Sequence, residues 1–248
     1  MAPLVRIEAE NERYAAPLVF LHGLWVGPEI WRRAALGFAH RGWSCRLLDE
    51  RSGGADGTPA ARFEAGFEAH VERVAHELAL LEAPAVVIGH DSGALVALAL
   101  AERAAVRASV AVAPLLEGAS SLLDRLTRLR VLLGVGDVAP PPPARFLGAL
   151  LAPEPASRIK ALRGRALAPG EPRVPCALVA QEQDAVVPRS LVEITANGLG
   201  ADLLRMEGGH WGMLEGEVDA WISPVHRWLI QRLGPSLLLL RGDEDLES

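Results

Sequence analysis

The sequence predicts an α/β protein with a mostly parallel central sheet flanked by helices, and with a helical lid over one edge of that sheet. Short apolar runs bounded by Gly, Pro or Asp alternate with longer amphipathic segments, the pattern of parallel strands joined by helices. One such run, AVVIGH (85–90), passes through DSG straight into the apolar helix pattern ALVALALAERA, as a tight strand-to-helix turn would. The alternation breaks once, between Leu115 and Arg173. An insertion there, between two strands of one sheet, is expected to cover the carboxyl edge, where open α/β sheets place their sites.

Taken in order, strands are expected at PLVFLH (17–22), SCRLLD (44–49), AVVIGH (85–90), ASVAVAP (108–114), CALVAQ (176–181) and DLLRME (202–207). Helices are expected over 28–41, 62–82, 92–105, 189–197 and 219–233. The 62–82 stretch repeats its apolar residues at three- and four-residue steps, which assigns His70 and His76 to a solvated face. The insertion supplies the amphipathic SSLLDRLTRLRVLLG and then the stiff APPPPARF, whose consecutive prolines favour extended backbone. Its Leu122, Leu123, Leu126, Leu129, Leu132 and Leu133 either face the site or anchor the helix. The resulting division is a core of 1–114 and 174–235, a helical lid of 115–173, and a partly disordered tail of 236–248.

Composition narrows the function classes. A chain of 248 residues, half of them hydrophobic, can bury one large core, so one domain is expected. The net charge of −6 comes with arginines scattered among acids, which argues against a nucleic-acid surface. Cys45 and Cys176 stand in separate apolar runs, without the spacing of a metal site or disulfide framework. No window is long and apolar enough to span a bilayer, and MAPLVRIEAENERY carries charges where a signal peptide needs an apolar core. The expectation is a cytoplasmic monomer or homodimer with a small-molecule partner, no membrane contact, and neither metal nor organic cofactor.

The GHDSG stretch concentrates the chemistry. A G-x-nucleophile-x-G turn needs small residues two before and two after its centre, because strand and helix pack tightly there. Gly89 and Gly93 centre the turn on Asp91; centring it on Ser92 would put His90, which is too large, at a small position. A carboxylate is ionised at neutral pH and needs no base to act as a nucleophile. Its natural target is a saturated carbon bearing a leaving group. Hydrolysing the resulting ester then needs a base and an oxyanion hole.

With LVFLHG near the start, GHDSG in the middle and GGHWGMLE near the end, the chain resembles the α/β-hydrolase superfamily over almost its full length. The GHDSG elbow is similar to those of the Asp-nucleophile branch, the epoxide hydrolases and haloalkane dehalogenases. The resemblance implies a triad in the order nucleophile, acid, histidine: Asp91, then Asp184 in QEQDAVVP, then His210 in EGGHWGM. Glu182 and Glu117 compete with Asp184 for the acid's place. The implied oxyanion donors are the N–H of Ser92 and that of Leu24 or Trp25. Trp25 and Trp211, beside the site loops, are candidates to line a substrate pocket, whereas Trp31, Trp221 and Trp228 fall within helix patterns and belong to the core. His22 is expected to be structural, and His90 to flank the site.

Several branch features are absent. Ser92 stands where haloalkane dehalogenases carry Trp, and Leu24 where they often carry Asn. Gly93, Ala94 and Leu95 follow where fluoroacetate dehalogenases place arginines. Epoxide hydrolases have HGxP and lid tyrosines; here HG precedes Leu24 and Trp25, and the only tyrosine, Tyr14, lies upstream of the first clear strand. Hydrolysis of an epoxide or alkyl halide through Asp91 is the leading expectation. Attack on an ester, lactone or thioester, and a non-hydrolytic lyase or cyclase reaction, are the alternatives. A ligand-binding relative in which Asp91 merely caps the helix is the non-enzymatic one.

Overall fold

Leu18–Leu21, Val86–His90, Ala108–Val112 and Cys176–Gln181 are buried along their whole length, as strands covered by helices on both faces must be. The computed structural model describes residues 4–50, 66–116, 133, 136–140, 147–165 and 169–237. In chain order the elements are β1 (Leu4–Ile7), β2 (Leu18–Leu21), a 3-10 turn (Pro28–Trp31), α1 (Arg32–Ala39), β3 (Cys45–Leu48), α2 (Gly66–Ala79), β4 (Val86–His90), α3 (Ser92–Glu102), β5 (Ala108–Val112), β6 (Asp137–Val138), β7 (Glu154–Pro155), α4 (Ala156–Arg165), β8 (Cys176–Gln181), α5 (Arg189–Leu199), β9 (Asp202–Met206) and α6 (Val218–Leu233). The central sheet runs β1-β3-β2-β4-β5-β8-β9. Every pairing in it is parallel except β1 with β3.

The strands' two-residue alternation sorts the core into layers. Leu18, Phe20, Val86, Ile88, Val110 and Val112 face α1 and α6, meeting Trp31, Phe38, Trp221 and Val225. Val19, Leu21 and Val87 face the other way, onto Phe67, Val71 and Val74 of α2 and Leu95, Val96 and Ala99 of α3. Each fully buried side chain of this kind contributes about 1.5–3 kcal/mol. Because α3 is buried all round over Ser92–Ala101, it can be apolar on every side, as its sequence is. Gly200 ends α5 in the left-handed region at φ 62, where a side chain would be strained. Trp31 packs on Phe20 and Trp221, and its indole N–H donates to the Leu21 carbonyl at 3.0 Å, anchoring the end of β2.

Two expectations need correction. β1 goes unannounced, since LVRI is a four-residue edge strand next to charged residues and pairs Arg6 with Arg46. His70 is buried rather than solvated, although His76 is exposed. Residues 236–237 belong to a 3-10 turn whose Leu237 is fully buried and accepts from Ala15 N–H; positions 238–248 lie outside the described residues. Of the segment expected as a lid, 117–132, 134–135, 141–146 and 166–168 also lie outside them, including Leu122, Leu123, Leu126, Leu129 and Leu132. Its described part supplies the small antiparallel β6–β7 pair and α4, which packs on α2 and α3; Leu133 is exposed. Trp31, Trp221 and Trp228 are buried as expected. Among the described residues, no helix is long and apolar enough to cross a membrane.

Candidate active site

The turn between β4 and α3 leaves no room for side chains at its flanks. A Cβ on Gly89 would fall on the Gly93 carbonyl, and one on Gly93 would lie 2.5 Å from the His22 carbonyl oxygen. Between these glycines Asp91 adopts φ 54 and ψ −113, a strained conformation of the order of 1–3 kcal/mol for a residue with a side chain. Backbone hydrogen bonds on both sides hold it there: Asp91 N–H donates to the Val112 carbonyl, and Leu115 N–H donates to the Asp91 carbonyl.

The Asp91 carboxylate is buried, and its two oxygens face different groups. Oδ1 accepts from Leu24 N–H at 3.0 Å and Ser92 N–H at 2.6 Å. Ser92 opens α3, so the helix dipole also favours negative charge here. Oδ2 lies 3.3 Å from His210 Nε2. The other ring nitrogen, Nδ1, is 2.9 Å from Asp184 Oδ2. Asp184 Oδ1 meanwhile accepts from Val186 N–H at 2.7 Å and Val187 N–H at 2.8 Å. One carboxylate thus fixes both its own loop and the imidazole. Glu182 instead pairs with Arg189, and Glu117 lies outside the described residues.

Burial pushes the His210 imidazole down, but its hydrogen bonds and charge interactions with Asp184 and Asp91 outweigh burial and raise its pKa to about 9. Burial pushes the Asp91 carboxyl up; the His210 hydrogen bond and charge, with the Leu24 N–H, hold it below the usual range. At neutral pH an imidazolium at His210 therefore faces the Asp91 carboxylate. His90 is the opposite case: burial takes it down to about 4, and the neutral ring donates from Nε2 to the His210 carbonyl at 2.9 Å. Gln181, at the end of β8, donates to the same carbonyl at 3.0 Å. Nothing in the sequence singled out Gln181, the last residue of an otherwise apolar strand.

The loop after β2 carries the other Oδ1 donor. Leu24 N–H, rather than Trp25 N–H, meets Asp91; the Trp25 N–H donates to Glu154 Oε1 at 3.0 Å and the Trp25 indole to the Val138 carbonyl at 3.1 Å. Trp211 lies edge-on to His210 with ring centroids 4.8 Å apart. His22 donates from Nδ1 to the Gly23 carbonyl and accepts Glu50 N–H at Nε2. Beside this loop sits a buried charged cluster that sequence reasoning missed: Arg158 pairs with Glu154 and Glu50, and Glu50 with His70. Tyr14 is stacked on Trp43, which precedes β3 at the opposite edge of the sheet from Asp91. Among the described residues no group of three or more His, Cys, Asp or Glu is arranged to hold a metal ion.

The alpha/beta hydrolase family matches residues 18–221. The chain belongs to that family. Solved α/β hydrolase structures similar to it include a soluble variant of monoglyceride lipase from Saccharomyces cerevisiae, with TM-score 0.75 and 13% identity over 92% of each chain. The Paleococcus ferrophilus monoacylglycerol lipase has TM-score 0.69 and 17% identity, over 92% of this chain and 97% of that one. A thioesterase domain from the curacin biosynthetic pathway has TM-score 0.57 and 17% identity, over 90% and 93%. At these identities the likeness is one of fold. No curated protein sequence matches this α/β hydrolase.

Proposed function

We propose that this α/β hydrolase opens a small, mainly apolar electrophile of the epoxide or alkyl halide type through an ester on Asp91, which His210-activated water then hydrolyses. The observation that carries this reading is the division of the Asp91 carboxylate. Oδ1 is held by the Leu24 and Ser92 N–H groups, and Oδ2, beside His210, is left to attack. Attack forms a bond from Oδ2 to the substrate carbon as the carbon–oxygen or carbon–halogen bond breaks. Water next gives its proton to His210 Nε2 and its oxygen to the Asp91 carboxyl carbon. Charge then develops on Oδ1, where the two N–H donors already point; each such donor is worth about 2.7–4 kcal/mol in comparable sites. Collapse releases the alcohol and restores the carboxylate.

Proton balance favours the epoxide. Ring opening produces an alkoxide, and the His210 imidazolium can supply the proton that no tyrosine near the site can give. That transfer leaves His210 neutral, ready to act as base, and hydrolysis returns its proton. A halide leaves without a proton, so His210 would first have to lose one to solvent. Forming the ester also removes the charge on Asp91, which weakens the hold on the His210 proton at the step that needs a base.

The lipase and thioesterase among the similar structures support a second reading, attack on an ester or thioester. It ranks second because a substrate carbonyl oxygen would have to displace Asp91 Oδ1 from both of its donors. A single-turnover incubation in ¹⁸O-labelled water, with terminal epoxides, alkyl bromides, esters and lactones, separates the two. The ester route leaves label in the Asp91 carboxylate and an unlabelled new oxygen in the first-turnover product. Label appearing directly in the product, with none in Asp91, would overturn it.

A further inference from the structure

We propose that Glu154 is a positioning residue for the Leu24 N–H, acting through Trp25 and held in place by Arg158. The backbone N–H groups of Leu24 and Trp25 diverge: one points into Asp91 Oδ1, the other into Glu154 Oε1. Fixing the second orients the peptide unit that follows Leu24, and with it the residue that bears the first. Trp25 also has φ 62, a region that a bulky side chain leaves unless it is held. It is held at three points by residues of one segment: its N–H by Glu154, its carbonyl by Ala152 N–H at 2.8 Å, and its indole by the Val138 carbonyl.

The hold on Trp25 is part of a longer circuit. From the Gly23 carbonyl the path runs to His22 Nδ1 at 2.8 Å, and from His22 Nε2 to Glu50 N–H at 3.1 Å. The Glu50 side chain pairs with Arg158 at 3.2 Å, and Arg158 bonds Glu154 at 3.0 and 3.1 Å. Glu154 returns to Trp25 N–H. The circuit leaves the loop at Gly23 and rejoins it at Trp25, so the residue it brackets is Leu24. His70 and Arg73 brace it from α2, through Glu50 Oε1 and the Glu50 carbonyl. Every side chain on the circuit is buried, and an unpaired carboxylate at Glu154 would be costly there, which gives Arg158 its place. The described stretch 147–158 therefore presents a fixed anion to the loop carrying an oxyanion donor. Displacing that segment would release Trp25 N–H and, with it, the aim of Leu24.

The proposal rests on the reading of Leu24 N–H as an oxyanion donor, but its test reads amides rather than turnover, so the two can fail separately. Native-state hydrogen exchange by NMR on the intact chain compares Leu24 with Ser92, which donates to the same Asp91 oxygen from α3 and has no link to Glu154. Glu154→Ala is expected to cut Leu24 protection by about tenfold or more while Ser92 keeps its own, as befits loss of a buried charged acceptor. Glu154→Gln, which retains an acceptor oxygen, is expected to restore most of it. In the unmutated protein Leu24, Trp25 and Ala152 should share one opening constant. Leu24 protection unchanged in Glu154→Ala would overturn the proposal. If that variant also loses protection at Val87 and Ile88 in the core, the unmutated protein decides, and a Leu24 opening constant differing by about tenfold from those of Trp25 and Ala152 counts against the proposal.

Discussion

Between pH 6.5 and 9 the folded chain should lose roughly 3 kcal/mol of stability through His210 alone. Its buried ring sits 2.9 Å from Asp184 and 3.3 Å from Asp91, and against the downward effect of burial these partners carry its pKa from 6.5 to about 9. That difference, at about 1.36 kcal/mol per pH unit, gives the figure. The sign follows from where the proton resides. Within the window the folded chain keeps a proton that the unfolded chain has released, so each step up in pH favours unfolding. The stabilisation is fully present below 6.5 and gone once the pH has passed through 9.

The other groups with resolved shifts act mainly on either side of this window's centre. His70, His90 and His226 are held below the ordinary histidine value by burial, so they act on the acid side of it. Burial raises Cys176 to about 12 and Cys45 as well, so unfolded thiols, which ionise first, add to the decline from about pH 8 upward. Denaturant unfolding followed by tryptophan fluorescence at half-unit pH steps reads the decline, and NMR titration of the His210 ring locates the ionisation. In Asp184→Asn the slope should flatten. A wild-type stability constant to within about 0.5 kcal/mol across the window, or a slope unchanged in Asp184→Asn, would refute the assignment.

Asp91→Asn should form no ester yet remain folded, because its amide oxygen can still accept from Leu24 and Ser92; intact-mass measurement after incubation with an epoxide checks this. With an alkyl bromide, whose leaving group needs no proton, His210→Gln should stall after the first step, accumulating one equivalent of adduct on the peptide containing Asp91, and rapid turnover by this variant would rule out the base assignment. Gly93→Ala sets a Cβ 2.5 Å from the His22 carbonyl oxygen, a backbone atom that cannot swing away, and should destabilise by about 2 kcal/mol or more in urea unfolding. Arg158→Met leaves Glu50 and Glu154 buried without their cation and should cost about 3–5 kcal/mol by the same measurement.

The elements legible in the sequence are those whose signal is local. The buried strands are continuous apolar runs, and their expected limits fall within two residues of the observed ones. The elbow was legible because Gly89 and Gly93 are required by backbone contacts across the turn. His70 shows where local reading fails. It stands between Phe67 and Val74 on the buried stripe of α2, where the periodicity of the apolar residues leaves a polar one out; the partner that makes burial tolerable, Glu50, belongs to another part of the chain. Glu154 and Arg158 were illegible for the same reason, since their meaning depends on meeting Glu50 and Trp25. Asp184 serves two partners, one oxygen accepting from its own loop and the other meeting His210, and only the second could be expected from the order of the motifs.

The filled donor pair at Asp91 bears on how this protein would behave in a survey of serine hydrolases. Fluorophosphonate probes report enzymes that offer an activated hydroxyl at the elbow and an empty pair of N–H groups for the phosphoryl oxygen. Here the elbow carries a carboxylate whose own oxygen occupies both N–H groups. Such a chain would pass silently through a proteome labelled for serine hydrolases, while on the proposed route a reporter bearing a strained ring or alkyl halide would mark it at Asp91.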